Sequence, residues 1–274
     1  MSIQSVNWVK KYTRVFILGV QSSMEYRADF LLTIFSAFVP IVIQYFLWSA
    51  IFNNSSEAKV YGYTFTQMIT YSILSGIFSK LLATGFEWEV ASDIKSGGLN
   101  KFIVQPIGYF LYRISNFLGG KFINSIVMMF ITLSTLVVLK YYLRNQIEIE
   151  RIFFLLVILF LALLLNFLIF FCVSTLAFWM IEIWQVFTIL GIVINVASGG
   201  IFPLDIFGKK FLRVIEFLPF KYTIYFPINV ISGKLNYNDL SKGILIQLFW
   251  VVFLFILSNY LWKKGMKKYV AVGG

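Results

Sequence analysis

From about residue 28 to residue 262, apolar runs of membrane-crossing length alternate with short polar interruptions. A helix needs roughly 20 apolar residues to cross the ~30 Å hydrocarbon core of a bilayer, and the runs share that length. The pattern predicts a first span over about 30–52, with Pro40 as an internal kink, and a second over about 63–84. The polar stretch Asn53 to Tyr61 turns the chain between them. A third span is expected over about 116–139, followed by a charged loop from Lys140 to Arg151. Residues 152–202 hold a single charge, Glu182. As one helix they would extend about 76 Å, more than twice the membrane. They therefore divide into a fourth span, 152–177, and a fifth, 184–202, with a reversal near 178–184 marked by Glu182. A sixth runs from about Leu240 to Trp262 and ends at Lys263, Lys264, Lys267 and Lys268.

Three segments break this rhythm. Residues 5–26 are amphipathic, with Val6, Val9, Phe16, Ile17 and Val20 on one face and Lys10, Lys11 and Arg14 elsewhere, which predicts an N-terminal interfacial helix within 1–29. Within 85–108, Glu87–Ser96 can form one short helix stopped by the Gly97–Gly98 pair. Residues 203–239 hold three of the five prolines, Pro203, Pro219 and Pro227, among many aromatics. That stretch is too polar to span and too apolar for a free loop. It predicts short helices at the outer interface, anchored by Phe217, Phe220, Tyr222, Tyr225 and Phe226. The expectation is a single all-α, polytopic domain, 1–274, with six transmembrane helices.

Composition narrows the chemistry. The chain is 59% hydrophobic and 13% charged, more apolar than a soluble domain of 274 residues can hide. Its formal charge of +11 fits basic flanks of membrane spans rather than nucleic-acid binding. Both tails are basic, and six spans put them on one side, so the positive-inside rule places both termini in the cytoplasm. The basic stretch 203–242 then lies outside and argues the other way. No cleavable signal is expected at the start. Cys172 is the only cysteine, so there is no disulfide framework, and the absence of histidine removes most zinc sites and acid–base triads. No P-loop and no Gly-x-Ser-x-Gly occur. No catalytic, cofactor-binding or metal-binding residue is expected in this chain.

Two spans carry stripes of small or hydroxyl residues: Ser72, Ser75, Gly76, Ser79 and Ala83 in the second, and Gly191, Asn195, Ser198 and Gly199 in the fifth. Spacings of three and four align each set on one face. Such stripes either let helices pack closely or line a translocation path, with Ser72, Ser75, Ser79, Asn195 and Ser198 as the path-lining candidates. In the short helix, Glu87, Trp88, Asp93, Ile94 and Lys95 alternate charge with apolar surface. That makes a docking element if a motor subunit exists, and a loop if none does.

Several stretches resemble the ABC type-2 transporter permeases, in the six-span group described as ABC-2 family transporter proteins. They are Tyr26-Arg27-Ala28-Asp29-Phe30, Gly62-Tyr63-Thr64 through Met68-Ile69-Thr70-Tyr71, and Asp93-Ile94-Lys95-Ser96-Gly97-Gly98-Leu99 with Gln105-Pro106-Ile107. Gly200-Ile201-Phe202-Pro203, Leu218-Pro219-Phe220, Tyr225-Phe226-Pro227, Gly233-Lys234-Leu235 and the tail Lys267-Lys268-Tyr269 through Gly273-Gly274 complete the likeness. The family tends to place a basic residue before the loop proline, where this chain has Gln105. The resemblance implies a permease subunit of an exporter in a bacterial plasma membrane, moving drugs, peptides or lipid-like molecules. It implies pairing with a second permease, alike or different, and with a separate ATPase that binds ATP and Mg, docked at Glu87, Trp88, Asp93, Ile94 and Lys95. The rival classes are a membrane-embedded lipid-modifying enzyme, which the missing histidines disfavour, and a passive channel, which would need a ring-forming charged span.

The topology is open to a direct test. With both termini cytoplasmic, single cysteines at Ser55, Asn145 and Asn236 in a Cys172→Ser background should react with an impermeant thiol reagent on intact cells. Labelling of Ser96→Cys instead of these three would invert the orientation.

Overall fold

The computed structural model describes residues 8–25, 27–143 and 149–269, and every regular element among them is helical. In chain order these are α1 (Trp8–Glu25), α2 (Arg27–Asn53), α3 (Phe65–Leu82), α4 (Phe86–Lys95), α5 (Asn100–Val104) and α6 (Tyr109–Leu143). Then follow α7 (Ile149–Ser174), α8 (Trp184–Ala197), α9 (Gly208–Glu216), α10 (Tyr225–Ile231) and α11 (Tyr237–Met266). Val6, Tyr26, Asn145 and the tail 270–274 lie outside the described residues.

α2, α3, α6, α7, α8 and α11 run between two ends of a bundle, one bearing α4 and α5 and the other α9 and α10. Among the described residues, four stretches are long and apolar enough to cross a membrane: Phe65–Lys95, Tyr109–Tyr141, Glu150–Phe178 and Tyr237–Met266. Phe38–Asn53 of α2 and the whole of α8 are shorter apolar helices. The 14 residues of α8 reach about 21 Å, less than the ~30 Å hydrocarbon core. The polytopic all-α architecture is thus present, with four of the six expected crossings met by length and composition. The expected fifth span stops at Ala197 instead of 202 because Gly199 turns the chain at φ +82°, a conformation open to glycine.

Local chemistry sets the ends of the second crossing. Tyr61 (φ 53°) and Gly62 (φ 81°) form a left-handed two-residue turn, closed by bonds of 2.9 and 3.0 Å between Val60 and Tyr63. Thr64 then caps α3: its hydroxyl accepts from the Gln67 N–H at 3.3 Å, and the Gln67 side chain accepts from the Thr64 N–H at 3.0 Å.

α7 is the pillar. Leu155, Ile158, Ala162, Leu165, Phe167 and Phe171 are all fully buried, at spacings that visit several faces of the helix. Helices at the periphery do the reverse. α2 exposes Phe35, Phe38, Val42 and Phe46, and α11 exposes Leu245, Phe249 and Ile256, the faces a bilayer would cover.

Glycines admit the closest contacts. α1 lies along the first turns of α6, where a Cβ on Gly119 would stand 2.1 Å from the Phe16 carbonyl oxygen and one on Gly19 2.5 Å from that of Asn116. The buried positions of α1 are Val15 and Gly19, while Val9 and Ile17 are exposed. Backbone approach at the glycines thus sets the seam with α6 on the Val15–Gly19 side and leaves Val9 and Ile17 of the apolar face uncovered by the bundle. On α11, Gly243 receives the Phe226 ring and Gly265 the Phe178 ring, each within 2.2 Å of where a Cβ would be.

The proline-rich segment folds inward. Short helical turns at Leu204–Phe207 and Phe220–Tyr222 flank α9, and residues 222–231 are buried without interruption. Tyr222, Tyr225 and Phe226 belong to the core rather than to an interfacial belt, whereas Phe217 is 80% exposed. Prolines cut the segment into turns too short to satisfy their own carbonyls, so neighbours supply donors. The buried Arg151 guanidinium donates to Val230 O at 3.1 Å and Leu235 O at 2.9 Å, and Gln247 Nε2 donates to Tyr222 O at 3.1 Å. Asp205 ties the segment to the start of α3. It accepts from the Tyr63 hydroxyl and from Tyr225 OH at 2.5 Å, with Lys234 Nζ at 3.6 Å. Burial, then the Asp205 carboxylate, pushes both phenols well above their ordinary range, so both remain donors. Burial lowers Lys234, an effect Asp205 opposes.

The α1–α6 seam yields a paired prediction. Gly119→Leu should drive the two backbones apart, at a cost above the ~1–3 kcal/mol typical of overpacking, and lower the thermal midpoint measured by tryptophan fluorescence in detergent. Gly120→Ala should be tolerated, since its Cβ would meet only Gly19 O, at 4.0 Å. Equal midpoints for the two variants would mean that α1 does not hold this seam.

Candidate functional site

Between α2, α3, α7 and α8 the helices leave a cavity of about 600 Å³. Its wall is largely apolar: Pro40, Ile43 and Leu47 from α2, Leu82 from α3, Phe170 from α7 and Ile194 from α8. Gly76 on α3 and Gly191 on α8 widen it by offering no side chain. The short segment after α8 closes one end with Gly200, Ile201 and Phe202, joined by Thr223 and Ile224.

Polar groups are few and individually placed. Gln44 of α2 and Ser79 of α3 both line the cavity, and Gln44 Oε1 and Ser79 Oγ are buried without a hydrogen-bond partner among the described residues. Asn166 Nδ2 donates to Leu82 O at 2.6 Å, capping one of the carbonyls α3 leaves open at its end. Ser198 Oγ donates to Asn195 O at 3.0 Å, and the Asn195 side chain folds against Gly200, where a Cβ would meet its Oδ1 at 2.0 Å. Lys80, in the last turn of α3, supplies a cation.

The path-lining candidates divide. Ser79, Asn195 and Ser198 lie on the wall of one cavity. Ser72 and Ser75 do not: their hydroxyls are buried and donate to carbonyls of their own helix, Met68 O at 3.0 Å and Ser72 O at 3.1 Å. Both positions are buried among packed helices, where small residues fit. Gln44, Lys80 and Asn166 were not singled out from the sequence. Gln44 and Asn166 are each a lone polar residue inside an apolar run, and Lys80 is the charge within its run; that isolation is the signal they carry.

The docking candidates also divide. α4 turns Val90, Ala91 and Ile94 into the core, and Glu87 is buried, accepting from the Gly85 N–H at 2.8 Å. Trp88 stacks on Trp184 with centroids 5.5 Å apart. Asp93 pairs with the buried Arg113, accepts from Tyr109 OH at 2.8 Å and lies 3.8 Å from Lys101. Lys95 donates to Met180 O. These contacts fix α4 to α6, α8 and the 175–183 reversal, leaving no free apolar face at Ile94. Exposed apolar surface at this end includes α5, where Ile103 is 57% and Val104 82% exposed beside Lys101, Gln105 and Pro106, and Ile181 of the reversal.

Comparison with known proteins follows from this geometry. The family model described as ABC-2 family transporter protein matches residues 38–273, which include α3 to α11, the cavity and the proline-rich segment. No curated protein matches the chain. A polytopic helical bundle whose match runs through nearly its whole length is a transport membrane subunit by descent: the chain belongs to the ABC-2 family of transporter proteins.

Proposed function

We propose that this chain is the permease subunit of an exporter in a bacterial plasma membrane. It passes a hydrophobic or amphipathic molecule through the cavity between α2, α3, α7 and α8, driven by a separate ATPase. The observation that carries this reading is a largely apolar cavity of about 600 Å³ with a few unpartnered polar atoms, within the reach of the family match. That volume falls in the ~300–1,000 Å³ range of small-molecule sites. ATP and Mg belong to the ATPase. Binding of ATP favours its closed arrangement, and only that difference in affinity can shift the permease between inward and outward states. A second permease, identical or related, completes the transporter, and both termini face the cytoplasm.

The ATPase docks at the α4–α5 end, on Ile103 and Val104 rather than on Ile94. The Asp93–Arg113 pair and the Trp88–Trp184 stack make α4 the rigid base beneath that patch. A push on α5 then reaches α6 and α8 together.

Purification of the tagged chain from its native membrane should bring with it a subunit bearing an ATP-binding P-loop in equal amount, and the complex should hydrolyse ATP. A chain that always emerges alone, with no hydrolysis, refutes the transporter reading. Ile103→Asp with Val104→Asp should lower ATPase recovery by about tenfold, the equivalent of ~1.4 kcal/mol, with an unchanged elution profile. Ile94→Asp should instead destabilise the permease itself, and unchanged recovery with the double variant would move docking off α5. Within the cavity, Ser79→Trp should abolish substrate-stimulated ATP hydrolysis and leave the complex assembled. Ser75→Trp, at a position with no exposure, should disrupt folding. Full stimulation in Ser79→Trp would place the path elsewhere.

A further inference from the structure

The cavity wall carries one charge. Lys80 is its only ionised side chain, and it makes no hydrogen bond or ion pair with any described residue. Beside it the Ser79 hydroxyl is buried and has no hydrogen-bond partner among the described residues. Glu87 lies near this end but is engaged otherwise, by the Thr84 side chain, by the Gly85 N–H at 2.8 Å and by the charge of Lys121. The end of α3 tolerates a cation, since the helix dipole is negative there. It gives the ammonium hydrogens no acceptor. Within a membrane bundle an ammonium without a counter-charge is costly, and such groups mark a ligand or an ion path.

Resting on the reading of this cavity as the transport path, we infer that its ligand is an amphiphile with one anionic head group. A carboxylate or phosphate is held by Lys80, with the Ser79 hydroxyl donating to it, and the apolar tail lies along Ile43, Leu47 and Ile194. The cation supplies what the apolar wall cannot, a preference for charge sign. A bilayer phospholipid and a separate exported amphiphile share this chemistry.

The test uses the purified chain in phosphatidylcholine nanodiscs, with radiolabelled dodecyl phosphate displaced by dodecanoate, dodecanol or dodecyltrimethylammonium. Dodecanoate should compete at least about tenfold better than the alcohol or the ammonium. Lys80→Met should erase that preference while leaving the affinity for dodecanol in place, and Lys80→Arg should keep it. Equal competition by the three compounds overturns the inference, as does a preference that survives Lys80→Met. The ranking on the unmodified chain decides the matter even if Lys80→Met folds poorly. Saturable binding without head-group preference removes this inference alone, whereas absence of any saturable binding removes the cavity as a path as well. Replacing a third of the lipid by phosphatidylglycerol separates the two sources. Loss of dodecyl phosphate binding then assigns the anion to a bilayer lipid, and unchanged binding assigns it to a separate amphiphile.

Discussion

A bundle of apolar helices has little water to offer a broken backbone, and most of the architecture follows from that shortage. Wherever a helix stops inside the bundle, a neighbouring side chain reaches its carbonyls. Asn166 caps the end of α3, Arg151 the end of α10, Gln247 the turn at Tyr222, and Tyr71 OH the Gly199 carbonyl at 2.6 Å. Each such bond joins segments distant in sequence. An unmade hydrogen bond in this setting costs more than the made one contributes in water. The caps therefore dictate where the irregular segments can lie, and apolar packing fills in around them.

The same rule explains why the proline-rich segment, α9 and α10 included, can be both broken and buried. Its turns have few bonds of their own. It is stable because Arg151, Gln247 and the Asp205 cluster close it against α3, α7 and α11. At the opposite end, Asp93, Glu89 and Arg113 perform a comparable task with charge, since Arg113 is buried and needs both carboxylates. The two ends thus differ in kind: one is held by capped backbone, the other by an ion-pair cluster topped with exposed Ile103 and Val104.

Hydropathy made four of the crossings, the reversal near Glu182 and the glycine stop after Lys95 legible, because each depends on run length or on a single turn residue. What it could not convey was which side of a helix meets another helix and which meets empty space. Ser75 and Ser79 are one turn apart on the same stripe, yet one is packed and the other faces the cavity. Hydropathy scores both alike. Tyr222, Tyr225 and Phe226 read as interfacial by residue type, but the donors that allow them inside come from Arg151 and Gln247, far away in the chain. Ile94 was similarly hidden, since its burial follows from how α4 leans on α7 and α8.

The fit of α11 bears on biogenesis. It is the last helix among the described residues, and its two glycine notches meet rings on earlier segments, Phe226 at one end and Phe178 at the other. Until α11 emerges from the ribosome, those rings keep only their earlier neighbours Tyr222 and Trp179, and the Tyr222 carbonyl lacks the donor that Gln247 supplies. The closing helix therefore acts as a key cut for a lock made first. A nascent chain halted before residue 237 would present the cell's membrane proteases with an unfinished surface at both ends at once.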